Sequence, residues 1–213
     1  EMLRSLVGSE MCIRDRHSYL YLFILISICY FQKVQAQKRE VIYKGNDTAV
    51  RYIGRIWVSA DGAVAFDWVG TYLETRFTGG KLSLRVSDTG RSYYNVFVDG
   101  RLHNVVKVCG TDTIINLVSG IDKRSHCLKI QKRSEGEFGK TTIHQFILSG
   151  SGRLTKTLSV PVRHIEFIGN SLTCGYGTEG KCREDPFLVE TENCNLTFAA
   201  IIARSVSYTH LRA

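Results

Sequence analysis

Proline is nearly absent from this 213-residue chain, with 2 residues beside 19 glycines. Proline-rich linkers and collagen-like repeats are therefore excluded. No internal repeat and no low-complexity segment is present, so a solenoid or array is excluded as well. Long hydrophobic runs are also missing. The longest stretch without a charge in an apolar setting, Tyr19 to Phe31 (YLYLFILISICYF), falls well short of a bilayer, since a spanning helix needs about 20 residues. Lysine and arginine exceed acidic residues by 28 to 20. The excess is scattered, with only short runs such as Lys38-Arg39 and Lys132-Arg133. No basic arm or stacking platform results, so no nucleic-acid partner is expected. What is present is ordinary globular material, 44% apolar and 23% charged, which excludes disorder for the bulk of the chain.

The two ends mirror one another at the level of DNA. Gly8 to Arg16 can be written GGC TCG GAG ATG TGT ATA AGA GAC AGA. The reverse complement of those codons translates as Ser205 to Ala213 as they stand. An adapter joined in inverted orientation to both ends of a DNA fragment produces this pattern. Residues 1–16 and 205–213 are accordingly expected to be adapter-derived and are set aside from fold reasoning. His210 is set aside with them. On this reading the chain is a truncated fragment, and a motif missing from it is not thereby absent from the gene.

The uncharged run after the first scar has the length of the apolar region of a secretory signal peptide, and Val34-Gln35-Ala36 offers a small-residue cleavage site. A signal peptide is expected over 17–36, cleaved near Ala36, with a secreted, periplasmic or cell-surface product and no stable membrane span. The ends so removed hold 5 of the 28 basic and 3 of the 20 acidic residues, leaving 23 against 17. They also hold Cys12 and Cys29. Export permits disulfides among the remaining Cys109, Cys127, Cys174, Cys182 and Cys194. Cys109 with Cys127, and Cys174 with Cys182 or Cys194, are candidate pairs, and sequence does not fix the connectivity. No CxxC or Cys/His spacing of a zinc site occurs, so neither a metal nor another cofactor is expected.

From about 40 to 158 apolar residues alternate in short segments. Val64, Phe66 and Trp68 alternate, as do Leu82, Leu84 and Val86, and Tyr94, Val96 and Val98. Leu128 and Ile130 continue from His126. In TIHQFIL, Ile143 and Ile147 alternate with His144, Phe146 and Leu148. Period two marks strands with one buried face. Turn signals separate them, among them Asp61-Gly62, Gly79-Gly80, Gly150-Ser151-Gly152 and the hairpin pair Asp99-Gly100. The pattern predicts a β-sandwich of jelly-roll type over 37–158. Near 159 the texture changes. VPVRHIEFIG reads as a strand that runs into Gly169-Asn170-Ser171, and Asn195 is placed to cap a helix over 196–203. Strand, glycine turn and helix open an α/β unit, so 159–204 is read as the start of a second domain, too short to bury a core alone.

Ser171 is the residue that carries chemistry. A serine at the carboxyl end of a buried strand, among small residues, presents its hydroxyl where α/β folds bind ligands. Backbone N–H groups there can face a developing oxyanion, and the hydroxyl needs a nearby base to act as a nucleophile. A plain strand-to-loop turn with a capping serine is the alternative at this point.

The segment IEFIGNSLTCGYG resembles the first conserved block of SGNH (GDSL-type) hydrolases, with Asn170 where many members have Asp. Upstream, FDWVGTYLETRFTGGKLSLRVSDTG, YYNVFVDG and SHCLKIQKRSEG resemble the N-terminal jelly roll of carbohydrate esterase family two. Lys132-Arg133-Ser134-Glu135 and Glu166-Phe167-Ile168-Gly169 are the most specific parts, and the likeness extends over about 40–204. The resemblance implies a secreted serine esterase that removes O-acetyl groups from plant cell-wall polysaccharide such as acetylated xylan or glucomannan. Ser171 would be the nucleophile and one backbone oxyanion donor. The catalytic His, often with an Asp shortly before it, would lie beyond Arg204. Tyr176 is a candidate for lining the acyl site. Trp57 and Trp68 are candidates for stacking on sugar rings, though the alternation at Trp68 places it in the core. His103, His126, His144 and His164 are read as structural or surface residues and Asp88 as a turn residue. The alternative is a non-catalytic carbohydrate-binding protein with a degenerate serine domain. An SGNH acyltransferase is a third option.

Overall fold

The computed structural model describes residues 21–27, 40–157, 164–206 and 209–212. The chain divides into two compact units, 1–39 and 40–213. In the first, residues 21–27 are helical and exposed. The expected cleavage site at Ala36 lies outside the described residues. No described helix is long and apolar enough to cross a membrane.

The second unit is built mainly of strands. Ten of them, β1 (Glu40–Lys44), β2 (Arg51–Ile53), β3 (Trp57–Val58), β4 (Val64–Phe66), β5 (Tyr72–Phe77), β6 (Lys81–Val98), β7 (Arg101–Ser119), β8 (His126–Lys132), β9 (Thr141–Ser149) and β10 (Leu154–Thr155), join one hydrogen-bonded sheet. The expected strand-rich domain is therefore present, but as a single curled sheet rather than two separate ones. The reason lies in β6. Its first half, Leu82 to Asp88, pairs with β9, and its second half, Tyr94 to Val98, pairs with β8. β7 runs antiparallel to it along its whole length. β9 carries β1 and β4 on its far side, and β8 carries β5 with β2 and β10. Two lobes thus hang from one long hairpin.

The hairpin changes direction where its register breaks, between Asp88 and Arg91. Gly90 sits in the break, and a Cβ there would run into the Phe138 carbonyl. Asp88 is not a plain turn residue at a strand end. It is buried, its Oδ1 accepts from Gly90 N at 2.9 Å, and its Oδ2 accepts from Thr141 Oγ1 on the neighbouring strand. The carboxylate holds the bend that extra residues in one strand create.

Asp99-Gly100 closes the hairpin as expected, with φ of 50° and 79°, the left-handed pair of a type I′ turn. Leu82, Leu84, Val86, Tyr94 and Val96 of β6 form the core with Leu73, Phe77, Leu128, Ile130, Val106, Val108, Phe146 and Leu148. In β9 the expected alternation fails. Ile143, Phe146 and Leu148 are all core residues. Ile143 lies opposite Val86 and Gln145 opposite Arg85. His144 is therefore bulged out of the ladder, and the pleat resets after it. Its Nε2 pairs with Ser87 Oγ at 2.9 Å. Trp68 is half-buried, with the Arg55 guanidinium 4.5 Å above its ring, while Trp57 is exposed on β3.

Cys109 and Cys127 do not pair. Cys109 lies on β7 opposite Arg91, and Cys127 lies on β8 beside Asp99, with β6 between the two strands. Two strand spacings of about 4.8 Å already exceed the reach of a disulfide.

His126 is held between two carboxylates. Its Nδ1 meets Asp99 Oδ2 at 2.7 Å and its Nε2 meets Asp122 Oδ1 at 3.1 Å, with the Phe77 ring alongside. Hydrogen bonding to Asp99, opposed by burial and aided by Asp122, raises the imidazole pKa. Arg124 and His126 lower that of Asp122, and His126 that of Asp99. A raised histidine pKa gives stability that is complete below the ordinary value of about 6.5 and is lost as pH rises through the folded value. Depressed carboxylates give stability that is lost only in acid. The melting temperature should therefore fall between about pH 5.5 and about pH 8.5 by more in the natural chain than in His126→Gln. Equal falls would refute the role of this cluster.

Candidate active site

After β10 the chain is described again from β11 (His164–Phe167), which pairs in parallel with β12 (Thr209–Arg212). β12 lies in the stretch assigned to adapter sequence. Its pairing with β11 is a backbone ladder, which any extended segment can supply at an open edge. A short helix, Ser171–Cys174, follows β11 directly. Gly169 lets the chain turn there, because a Cβ would collide with the Thr173 side chain. Asn170 is the N-cap. Its Oδ1 accepts from Leu172 N at 3.1 Å, and its backbone carbonyl accepts from Thr173 N at 2.9 Å and Cys174 N at 3.2 Å. The Ser171 side chain is exposed. Among the described residues its own N–H is bonded to nothing, while the next three N–H groups are all committed to Asn170. Gly175, at φ +96°, ends the helix against the Asn193 carbonyl.

Tyr176 stacks on Phe187 at 3.7 Å and 8°, with Phe138 tilted against both rings, and its hydroxyl donates to Glu137 Oε1 at 3.1 Å. Desolvation and that carboxylate push its pKa up to about 12, so it remains a neutral donor. A cleft of about 390 Å³ opens beside the turn, lined by Asp67, Trp68, Glu135, Glu137, Gly169 and Cys174. A hollow of about 420 Å³ over Glu74, Lys129 and Arg204 holds neither Ser171 nor Tyr176.

The turn is fastened to the sheet by a residue that sequence reasoning quoted only as part of a resemblance. Arg133 follows β8 and is fully buried. Its Nε donates to Glu192 O at 2.7 Å, Nη1 to Asn95 Oδ1 at 3.3 Å, and Nη2 to Glu190 O at 3.0 Å and to the Glu179 carboxylate. Asn95 Nδ2 donates to Asn193 Oδ1 at 2.9 Å, and Cys194 N donates to Arg133 O at 3.3 Å. Lys132, buried beside it, donates through Nζ to Ser92 Oγ at 2.7 Å and Gly139 O at 3.0 Å, and burial lowers its pKa to about 8. The run Glu192-Asn193-Cys194 is thus sewn into the end of β6 and β8, and Gly175 packs on it.

The helix expected over 196–203 is found as Phe198–Ser205, and Asn195 does not cap it. Asn193 has already turned the chain into a short 3-10 segment, Cys194–Leu196, by accepting from Asn195 N at 3.1 Å. The Asn195 side chain instead accepts from Arg204 Nη1 at 2.8 Å.

Three donor atoms from separate segments converge behind the turn. Those of Glu135, Cys174 and Glu192 lie within 4.8 Å of one another. Motif spacing gave no sign of them, because each comes from a different part of the chain. Burial, with help from the Glu135 and Glu137 charges, raises the Glu192 pKa to about 8 against the pull of the Glu135 N–H and Lys132. None of the described histidines is bonded to Ser171: His126 and His144 are engaged in the sheet, and His103 is exposed on β7. The side chain of His164 lies outside the described residues.

Residues 52–157 match the family described as carbohydrate esterase 2 N-terminal. This stretch is a carbohydrate esterase 2 N-terminal domain. The chain is 33% identical, over 76% of its length, to the cellulase/esterase CelE of Acetivibrio thermocellus, of which it spans 20%. It is 27% identical, over 66% of its length, to an acetylxylan esterase / glucomannan deacetylase of Cellvibrio japonicus, of which it spans 39%. A family two carbohydrate esterase from Clostridium thermocellum, solved with cellohexaose, superposes with a TM-score of 0.72 at 32% identity, over 76% of this chain and 50% of that one. The chain therefore spans half or less of the length of these relatives, and the esterase 2 N-terminal domain fills most of what is described.

Proposed function

We propose that this chain is the N-terminal part of a secreted serine esterase of the SGNH type, which removes O-acetyl groups from plant cell-wall polysaccharide such as acetylated xylan or glucomannan. Residues 17–36 direct export and are cleaved near Ala36, 37–158 form the strand domain, and 159–204 begin the hydrolase domain. Residues 1–16 and 205–213 come from the adapter. Ser171 attacks the acetyl carbonyl, the acetyl-enzyme forms, and water then hydrolyses it. The base that takes the Ser171 proton is a histidine carried beyond Arg204.

The observation that carries this reading is the state of the turn. Ser171 is exposed, and its N–H stays uncommitted while those of Leu172, Thr173 and Cys174 are bound to Asn170. A nucleophile whose own N–H stabilises the oxyanion needs that arrangement. The cleft beside the turn, with Trp68 and the acidic edge of Glu135 and Glu137, is the candidate path for a sugar chain. Tyr176 borders the acyl side.

The test is to clone the gene through its natural end, express the secreted protein and measure acetate released from acetylated xylan and acetylated glucomannan. Release from either is expected. A protein that folds, carries a candidate histidine and releases none from either would overturn the assignment.

A further inference from the structure

We propose that Glu135, Cys174 and Glu192 form a zinc site that clamps the Ser171 turn to the strand domain. Two independent features of the structure point to it. The first is convergence: one thiol and two carboxylates place a donor atom each within 4.8 Å of the others. A tetrahedral zinc with bonds of about 2.0 Å to oxygen and about 2.3 Å to sulfur sets its donors about 3.3–3.6 Å apart. Side-chain adjustment of about 1 Å would close the present set around an ion.

The second feature is a missing partner. Glu192 is fully buried, yet its Oε1 has no hydrogen-bond partner among the described residues. A buried carboxylate oxygen left bare is costly. Its other oxygen, Oε2, accepts from Glu135 N at 3.2 Å. That bond orients the carboxylate, one oxygen of which belongs to the donor cluster. It is the kind of outer support by which ligating carboxylates are oriented.

The donor set selects the ion. A thiolate beside two carboxylates suits a borderline divalent cation, whereas calcium and magnesium want six or more oxygens. Three protein donors leave a fourth position for water. The cleft lined by Glu135 and Cys174 provides the entry path. The buried cations Lys132 and Arg133 next to Glu192 offset part of the excess negative charge. Binding displaces the Cys174 thiol proton, and the proton that Glu192 carries near neutral pH, to solvent.

The position of the site gives its role. Cys174 ends the helix that Ser171 begins, Glu135 follows the strand-domain Arg133, and Glu192 belongs to the anchored run. An ion joining the three ties the helix end to both. The clamp is separate from the ester chemistry: it concerns how the turn is held, whichever bond Ser171 acts on.

The experiment uses the untagged full chain, stripped with a chelator and kept reduced with a phosphine. Zinc is titrated against a competing indicator, and cobalt is used as a spectroscopic probe. One equivalent of zinc should bind, and cobalt should give a thiolate-to-metal charge-transfer band. Cys174→Ser should abolish that band. Cys174→Ser and Glu192→Gln should each weaken zinc binding by about tenfold or more. Glu135→Gln, a change at a partly exposed residue, should weaken it too and guards against a folding defect at the buried position. Cys109→Ser and Cys182→Ser should leave binding unchanged. Absence of the band, or zinc affinity unaltered in Cys174→Ser and Glu135→Gln, would overturn the site. Neither outcome depends on esterase activity.

Discussion

Alanine at position 171, in the protein continued to its natural end, is expected to cut acetate release by about four to six orders of magnitude. On the proposed mechanism the seryl oxygen bonds to the acetyl carbon, and alanine has nothing to put there. The size of the loss follows from the way nucleophile, base and oxyanion donors act as a unit. What survives is the residual rate from binding and the oxyanion donors alone. The substitution is also a clean one. Ser171 is exposed, and the helix start is held by Asn170, through both its side chain and its carbonyl, rather than by the serine. Stability should change by no more than about 0.5 kcal/mol, as for ordinary surface substitutions. The decisive measurement is therefore turnover beside a melting curve. Loss of turnover at constant melting temperature assigns the nucleophile to Ser171, and unchanged turnover removes it.

The second large effect belongs to Arg133. Arg133→Met should destabilise the second unit by about 3–5 kcal/mol. The methionine fills much of the space but donates nothing. It strands the Glu190 and Glu192 carbonyls, the Asn95 side-chain oxygen and the Glu179 carboxylate. A buried acceptor left without its donor costs about 1–3 kcal/mol. These losses share one cause and do not simply add. The defect should be local: limited proteolysis is expected to open the chain between Gly177 and Asn195 well before the ten-stranded sheet. Arg133→Lys sharpens the test. Lysine keeps the charge but lacks the planar fork that serves four acceptors at once, so it should rescue little. Full recovery by lysine would show that charge alone holds the segment, and uniform proteolysis along the chain would show that Arg133 serves the sheet instead.

Much of the strand domain was legible because its signals are local. Asp99-Gly100 dictates its own turn, and the alternation in β6 and β8 follows from a pleat with one buried face. The failures arise where a distant residue resets a local pattern. The bulge at His144 brings Ile143 and Phe146 onto one face, and no window of β9 alone reveals it. The single curled sheet follows from a β6 long enough to serve two neighbours in succession, a property of pairing rather than composition. Asn195 has the right chemistry to cap a helix, but Asn193 intercepts the chain two residues earlier. Ser171 can be nominated from sequence because its setting is contiguous there, and its catalytic role is a proposal. Arg133 and the Glu135, Cys174 and Glu192 cluster were not assigned roles, because their partners are assembled only by folding.

The long β6–β7 hairpin has a consequence for how the domain comes apart. One lobe pairs with the first half of β6 and the other with the second, so each lobe's ladder ends on the same strand. Core side chains from both halves meet in one cluster. Losing either lobe strips one edge of β6 and exposes apolar surface on the other lobe that it had covered. The free energies of the two lobes are thereby coupled, and denaturant should melt them together in one transition. The slowest amide exchange should run along β6 on both sides of its bend, where the two ladders share a single backbone.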